Sequence, residues 1–232
     1  MSAIESKRQF QRLVTEAAGC TRCPAMCERS AVLSERNGSV AARIMFIGEA
    51  PGRKGADRTR VPFSGDQSGK NLDRFLASID LGREHIFITS AALCNPRTES
   101  GANRKPSRVE LKNCTSFLHR TLELVNPALV VTLGSVALEA IRAIEPHDLS
   151  LREAAARIHN WNGRVLVPIY HPSPQVLASH RREAEQLRDY RVVKDAINSL
   201  NRLESGVARH PLLLRRLPGV RTAGVATDKS VV

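Results

Sequence analysis

Three groups of side chains in this sequence have the types and spacing to do chemistry. The first is a glycine-rich stretch over residues 48–69, GEAPGRKGADRTRVPFSGDQSG, which carries the carboxylates Glu49, Asp57 and Asp66 and the aromatic Phe63. Carboxylates among exposed backbone amides, beside one aromatic ring, suit a small, polar, planar ligand. The stretch lacks the Gly-Lys-Ser/Thr ending of a P-loop and does not spell G-x-G-x-x-G. The second group is His171, set between Tyr170 and Pro172 with a further proline at 174. Proline fixes φ, so this imidazole rides a stiff turn. The third is a set of cysteines: Cys20 and Cys23 in a C-x-x-C spacing, Cys27 close by, and Cys94 and Cys114 far along the chain. A C-x-x-C hairpin presents two sulfurs to one metal, and two local with two distant cysteines could hold zinc or an iron–sulfur cluster. Cys27 is then the odd thiol, a packing residue or an alternative ligand. Thioredoxin-type chemistry does not fit, because the pair precedes the first strand instead of following it onto a helix.

The elements that must position these groups follow from hydrophobic periodicity. An amphipathic helix is expected over residues 5–18, from Phe10, Leu13, Val14 and Ala17 at helical spacing. Core strands are expected over 43–47, 85–93, 127–133 and 164–169. Between and after them the pattern gives helices over 70–78, 108–124 (with Ser107 as N-cap), from Gly134-Ser135 onward, over 151–158 and over 183–203. The amino end of the Gly134-Ser135 helix reads as a simple cap, with anion binding a weaker reading. Strands alternating with helices give an α/β fold: a mainly parallel central sheet of about four strands with helices on both faces, in three layers. Three loops then leave the carboxyl ends of core strands: the glycine-rich loop, the segment from Ser90 to Cys94, and the turn at His171. Doubly wound folds place their sites there.

Composition narrows the partners. The chain has 232 residues, of which 42% are hydrophobic, enough for one medium domain. Its formal net charge is +12 and its pI about 10.3, which points to a polyanion, with nucleic acid first. No apolar run approaches the length of a membrane span, and the polar start is unlike a secretory signal. The expectation is a cytosolic, nucleoid-associated, monomeric protein whose cysteines are thiols or metal ligands. Residues 1–204 read as a single domain, and residues 205–232, where periodicity fails, as a basic disordered tail.

Whole motifs also match. Gly48-Glu49-Ala50-Pro51-Gly52 is similar to the opening of the family 4 uracil-DNA glycosylases. Gly55-Ala56-Asp57-Arg58-Thr59, Pro62-Phe63 and Gly65-Asp66-Gln67-Ser68-Gly69 are similar to the family 5 continuation. His171-Pro172-Ser173-Pro174 fits both, and Asn103-Arg104-Lys105-Pro106 through Glu110 to Cys114 has the family 4 rhythm. Residues 20–200 thus resemble the iron–sulfur groups of the uracil-DNA glycosylase superfamily. The resemblance implies a three-layer fold, a 4Fe–4S cluster on Cys20, Cys23, Cys94 and Cys114, and monofunctional hydrolysis of the glycosidic bond of uracil, or of other deaminated bases, in single- or double-stranded DNA. The alternative it leaves is a non-catalytic or covalently trapping relative that binds damaged DNA. Two departures stand out. Ser90 replaces the asparagine that family 4 keeps four residues before the third cysteine, and the segment between Cys94 and Asn103 is longer than the family 4 spacing, with Thr98 to Ala102 read as the insertion.

The implied roles are these. Phe63 stacks on the flipped base, and the backbone around Gly48, Glu49 and Ala50, with the hydroxyls of Ser90 and Ser173, borders its polar edge. His171 donates a hydrogen bond to the departing base. Glu49 or Asp66 activates water, Glu49 being the family 4 position and Asp66 the family 5 position. Arg181 and Arg182, just after the His171 turn, meet DNA.

Overall fold

The computed structural model describes residues 3–26 and 28–204. Cys27 and the segment 205–232 lie outside the described residues. The first helix, α1 (Ala3–Ala18), leads through the paired cysteines to β1 (Ile44–Gly48), which is buried at every position. Burial throughout is what a strand covered on both faces requires. The glycine-rich loop follows, with one short helix inside it, α2 (Ala56–Thr59), and it ends in α3 (Gln67–Ala77). Then come β2 (Ile86–Ser90), α4 (Arg108–Val125), β3 (Leu129–Leu133), α5 (Ser135–Arg142), α6 (Leu151–Ala154), β4 (His159–Trp161), β5 (Arg164–Ile169), α7 (Pro174–Ser179) and α8 (Glu183–Glu204).

The sheet has the order β2-β1-β3-β5-β4, with four parallel strands and β4 antiparallel at one edge. Four strands match the expected ones; β4 is the addition. Its three residues, His-Asn-Trp, are too few for an alternating pattern. Its turn is legible in retrospect: Asn162 and Gly163 both have left-handed φ (48° and 69°), as a tight two-residue hairpin demands. Two other short helices, α2 and α7, escaped periodicity for the same reason of length.

Alternation along the strands builds two cores. Met45 and Ile47 of β1 face α1, α4 and α5, packing with Phe10, Phe87, Leu122 and Leu138. Ile44 and Phe46 face α3 and α8, packing with Leu72, Phe75, Tyr190 and Val193. Edge-on Phe10–Phe87 contact, with centroids 5.6 Å apart, ties α1 to the sheet, and Phe75 meets Tyr190 at 5.2 Å on the other side. The result is helix, sheet, helix in three layers. No helix among the described residues is long and apolar enough to cross a membrane.

Helix ends are set by local chemistry. Ser107 and Glu110 form a capping box at the start of α4, and Asn126, with φ 46°, closes it. Glu110 is buried, and the Arg104 guanidinium grips both its oxygens at 2.6 and 2.7 Å, pulling its carboxyl down to about 2. Before β1, buried Asn37 donates to the Ile88 carbonyl at 2.7 Å and accepts from the Ser34 amide at 2.8 Å, which pins the incoming chain to β2. Asn37→Ala would leave both backbone groups unpaired and should lower unfolding free energy by about 1–3 kcal/mol. Urea denaturation measures it, and an unchanged midpoint would mean the pin is dispensable.

Candidate active site

The chain leaves β1 first toward β2 on one side and later returns to β3 on the other. That reversal opens a crevice at the carboxyl ends of the strands. A cavity of about 360 Å³ lies there, lined by Glu49, Ala50, Phe63, Asp66, Ser90, His171 and Ser173, together with Asn95, Asn103 and Lys105. Seven of the residues that sequence placed in a base site thus share one cavity. Gly48 sits beneath it: a Cβ there would come within 2.7 Å of the Phe63 ring, so only hydrogen lets the aromatic settle on the strand end.

Phe63 is held in a demanding conformation. Its φ is 49°, the left-handed region that a bulky residue rarely enters. Three hydrogen bonds from Arg83 hold the turn: Nη1 to the Pro62 carbonyl at 2.8 Å, Nη2 to the Phe63 carbonyl at 2.5 Å, and Nε to Asp73 at 2.6 Å. Gly69 must lack a side chain, because a Cβ would stand 2.2 Å from the Phe63 oxygen. The ring then faces His171, with centroids 5.5 Å apart and planes tilted by 38°.

The His171 turn is pinned by two buried amides. Gln186 donates to the His171 carbonyl at 3.2 Å and Asn71 to the Pro172 carbonyl at 2.8 Å. Gly134, with φ +92°, lets the turn approach: a Cβ there would lie 3.3 Å from that of His171. The imidazole opens onto the cavity on one side and is enclosed by protein elsewhere. Loss of solvent around it pushes its pKa down to about 4, with Asp66 pulling weakly the other way. At neutral pH the ring is uncharged and has one N–H to donate.

The two candidate carboxylates differ. Glu49 is half-buried, and desolvation raises its pKa while the nearby Lys105 charge opposes the rise. Asp66 is the N-cap of α3: one oxygen accepts from the Gly69 amide at 2.9 Å. Its other oxygen fills the space above Gly52 and Gly55, where added Cβ atoms would come within 2.9 and 2.1 Å. Ser90 ends β2 half-buried beside Gly48. Ser173 caps α7, accepting from the Val176 amide at 3.4 Å.

Behind the cavity, Asn95 locks the loops together. Its amide donates to the Pro51 carbonyl at 2.6 Å and to Asn103 at 3.1 Å, while Arg97 donates to its oxygen and also pairs with Asp57. The extra residues Thr98 to Ala102 form an exposed hairpin tip, closed by the Thr98 amide on the Ala102 carbonyl at 2.8 Å. Cys20 follows α1, Cys23 opens a 3-10 turn, Cys94 follows β2 and Cys114 is buried on α4. The Cys94 thiol is pushed up to about 12, by burial first and then by the neighbouring Cys114, Cys20 and Cys23. Arg22 and Asn113 bond across this junction, and Asn113 also donates to the Cys23 sulfur at 3.4 Å. The four thiols share a neighbourhood without converging on a point: among the described residues, no group of three or more potential ligands is gathered to hold a single ion.

The arginines after the His171 turn part company. Arg181 is taken up by Asp189, at 2.6 and 3.0 Å, and lies over the Tyr170 ring. It braces α8 against the turn. Arg182 is exposed, and its hydrogen bonds to Glu185 and Gln186 are made by its backbone amide and carbonyl, not by its guanidinium. Sequence reasoning missed Arg83, Asn71 and Gln186, and the parts that Gly134 and Lys105 play at the cavity. Asn71 and Gln186 sit on helical faces among apolar neighbours, and a polar residue there carries no signal of the distant carbonyl it meets. Lys105 lay in plain view within a quoted motif.

Comparison with known proteins places these residues in a group. The family model described as the uracil DNA glycosylase superfamily matches residues 36–193. A type-4 uracil-DNA glycosylase of Saccharolobus solfataricus is 32% identical over 194 residues, covering 81% of this chain and 86% of that protein. A type-4 uracil-DNA glycosylase of Thermotoga maritima is 30% identical, with 72% and 84% covered. A type-5 uracil-DNA glycosylase of Pyrobaculum aerophilum is also 30% identical, with 78% and 89% covered. Similarity to both types agrees with the mixed first motif.

The depressed His171 pKa makes stability depend on pH. Between about pH 6.5, the ordinary histidine value, and about 4, the unfolded chain takes up a proton that the folded ring refuses, so stability falls as pH drops through that window. Fully developed, the loss is about 3 kcal/mol. His171→Asn should lose correspondingly less stability between pH 7 and pH 4 in paired denaturation curves. Equal losses in the two proteins would show that the ring is not desolvated.

Proposed function

Because the chain belongs to the uracil DNA glycosylase superfamily, we propose that it is a monofunctional DNA repair glycosylase that hydrolyses the glycosidic bond of uracil in DNA. The observation that carries this reading is the convergence of a neutral, desolvated imidazole, a half-buried carboxylate and a posed aromatic ring in one cavity at the ends of the parallel strands. A base inside a duplex cannot reach such a cavity without leaving the stack, so the nucleotide must flip. Phe63 stacks on the flipped base, and backbone near Glu49 and Ala50 borders its polar edge.

The bond between the base nitrogen and the sugar C1′ then breaks, leaving negative charge on the base and positive charge on the sugar. His171 donates its N–H to the base oxygen where charge develops. A neutral donor is apt: it stabilises the anion without a proton first being captured from solvent. Glu49 accepts a proton from water as the water oxygen bonds to C1′, and its charge offsets the sugar cation. Asp66 is tied to the Gly69 amide and fills the space over Gly52 and Gly55, which leaves Glu49 the better placed of the two. Ser90 offers a single hydroxyl where an amide side chain would offer both a donor and an acceptor. That thin contact supports acceptance of other deaminated bases and is also the one feature that favours a binding relative without turnover.

Cys20, Cys23, Cys94 and Cys114 would hold a 4Fe–4S cluster. The donor set fits: four thiols share one neighbourhood, with Cys94 and Cys114 desolvated in it and each of Cys20, Cys23 and Cys114 close enough to act on the Cys94 thiol. When bound, the cluster supplies cross-linking of the amino-terminal hairpin to α4 and to the loop after β2. The hydrolysis needs no electron transfer.

Oligonucleotides carrying uracil, hypoxanthine or xanthine, single- and double-stranded, followed by alkaline cleavage at abasic sites, test the proposal. The wild type should release uracil. His171→Ala should lose about 10²–10³-fold in single-turnover rate, and Glu49→Gln about 10²–10⁴-fold. Since desolvation raises the Glu49 pKa, the wild-type rate should fall with pH on the acid side at a value above that of an ordinary carboxylate, and Glu49→Gln should lack that limb. Binding without any abasic product would favour the non-catalytic reading; full activity in His171→Ala would overturn the assigned donor. For the cluster, Cys20→Ser and Cys94→Ser should lose iron, brown colour and thermal stability together. Iron-free wild type with intact folding would sink that part.

A further inference from the structure

A second cavity, of about 290 Å³, adjoins the first and shares Asp66, Ser68 and Asn103 with it. Its outer rim is Arg53 and Lys54, from the glycine-rich loop, and one wall is Ala102, from the extra hairpin. Most arginines near this loop are committed. Arg60 and Arg97 pair with Asp57, Arg83 with Asp73, and Arg104 with Glu110. Arg53 and Lys54 are different. Both are exposed, and among the described residues neither charged group meets an acid within ion-pair distance. The Arg53 backbone amide is bonded to Asn103 at 3.0 Å, which fixes the loop while leaving the guanidinium free. That guanidinium reaches toward the hairpin, its Nη1 lying 3.7 Å from where a Gly101 Cβ would be. Asp66 is the one acid lining this cavity, and its oxygens are turned to the Gly69 amide and to the glycines of the loop.

We propose that this side groove is the track for the phosphodiester backbone next to the flipped nucleotide, with Arg53 and Lys54 as its phosphate contacts. The inference rests on the glycosylase reading for the flipped base, but its geometry stands on adjacency: the two cavities share Asp66, Ser68 and Asn103 in their linings, and a strand delivering a base to Phe63 must leave over one rim of the first cavity. This rim carries two uncommitted cations, and a polyanion with regularly spaced charges is what they match. The hairpin from Arg97 to Asn103 forms the wall that keeps the strand in the groove, which gives the extra residues a use.

Each phosphate contact adds to the salt dependence of binding, by about 0.7 in the slope of log K against log salt for a single strand. The test uses a fluorescein-labelled, uracil-free thymidine oligonucleotide, so that no cleavage is needed for the readout. Arg53→Ala/Lys54→Ala should lower the slope by about 1.4, and Arg53→Gln/Lys54→Gln, which keeps the side-chain length, should do the same. Arg8→Ala/Arg12→Ala on α1 removes equal charge elsewhere and should leave the slope near that of wild type. A wild-type slope in both Arg53/Lys54 variants, or an equal fall in the α1 control, would overturn the track. Uracil release by the wild type is scored separately, so a missing track and a missing glycosylase activity give different results.

Discussion

Exclusion of water from the strand ends is the constraint on which the rest of the site depends. The same loss of solvent acts on His171 and on Glu49 in opposite senses of charge: it keeps the imidazole neutral and makes the carboxylate a stronger base. A neutral donor and a basic carboxylate at one pH are what separation of a base from its sugar requires. Neither would arise on an open surface, where both groups would titrate near their ordinary values. The cavity therefore does more than hold a ligand; its walls set the protonation states.

Keeping those walls in place demands unusual backbone. Phe63 occupies left-handed space, and the strain of a bulky residue there, of order 1–3 kcal/mol, needs compensation. Arg83 supplies it from outside the cavity through two carbonyls, and glycines at 48 and 69 remove the atoms that would collide. The His171 turn is treated the same way, by Asn71 and Gln186 on its carbonyls and Gly134 under its Cβ. On both sides the ring that faces the cavity sits on a turn whose carbonyls are captured by side chains from neighbouring elements. The site is rigid because its loops borrow hydrogen bonds from the scaffold.

Much of this was legible in sequence, for a physical reason. Continuous apolar strands and amphipathic helices are local patterns, so β1, β2, β3 and β5 and the long helices appeared where expected. Glu49, Ser90 and His171 could be grouped because each lies at or just past a strand end, and Phe63 because it rides the loop that leaves β1; a parallel sheet brings those ends together. What stayed hidden was long-range. Nothing near Arg83 shows that it reaches back across twenty residues to Phe63, and nothing near Asn71 shows a partner one hundred residues away. The β4 edge was missed because three residues cannot display a period. Arg181 was read as a surface cation because Asp189, which takes it up, lies on the next helix.

The two carboxylates of the glycine-rich loop show how one stretch can carry two functions. As sequence, Glu49 and Asp66 are equivalent acids, each at a position that one family favours. Their surroundings separate them. Asp66 begins α3, and its oxygens are used by a backbone amide and by the gap over Gly52 and Gly55; its charge then serves the helix end and the loop shape. Glu49 follows β1 directly, so a strand buried at every position places it, and Lys105 offsets its desolvation. A base that works on water needs a fixed position and free lone pairs, and Glu49 has both. Asp66 has the fixed position but has committed one oxygen to the Gly69 amide. One acid caps a helix and shapes the loop while the other stands at the strand end, so a single loop can hold the marks of two families.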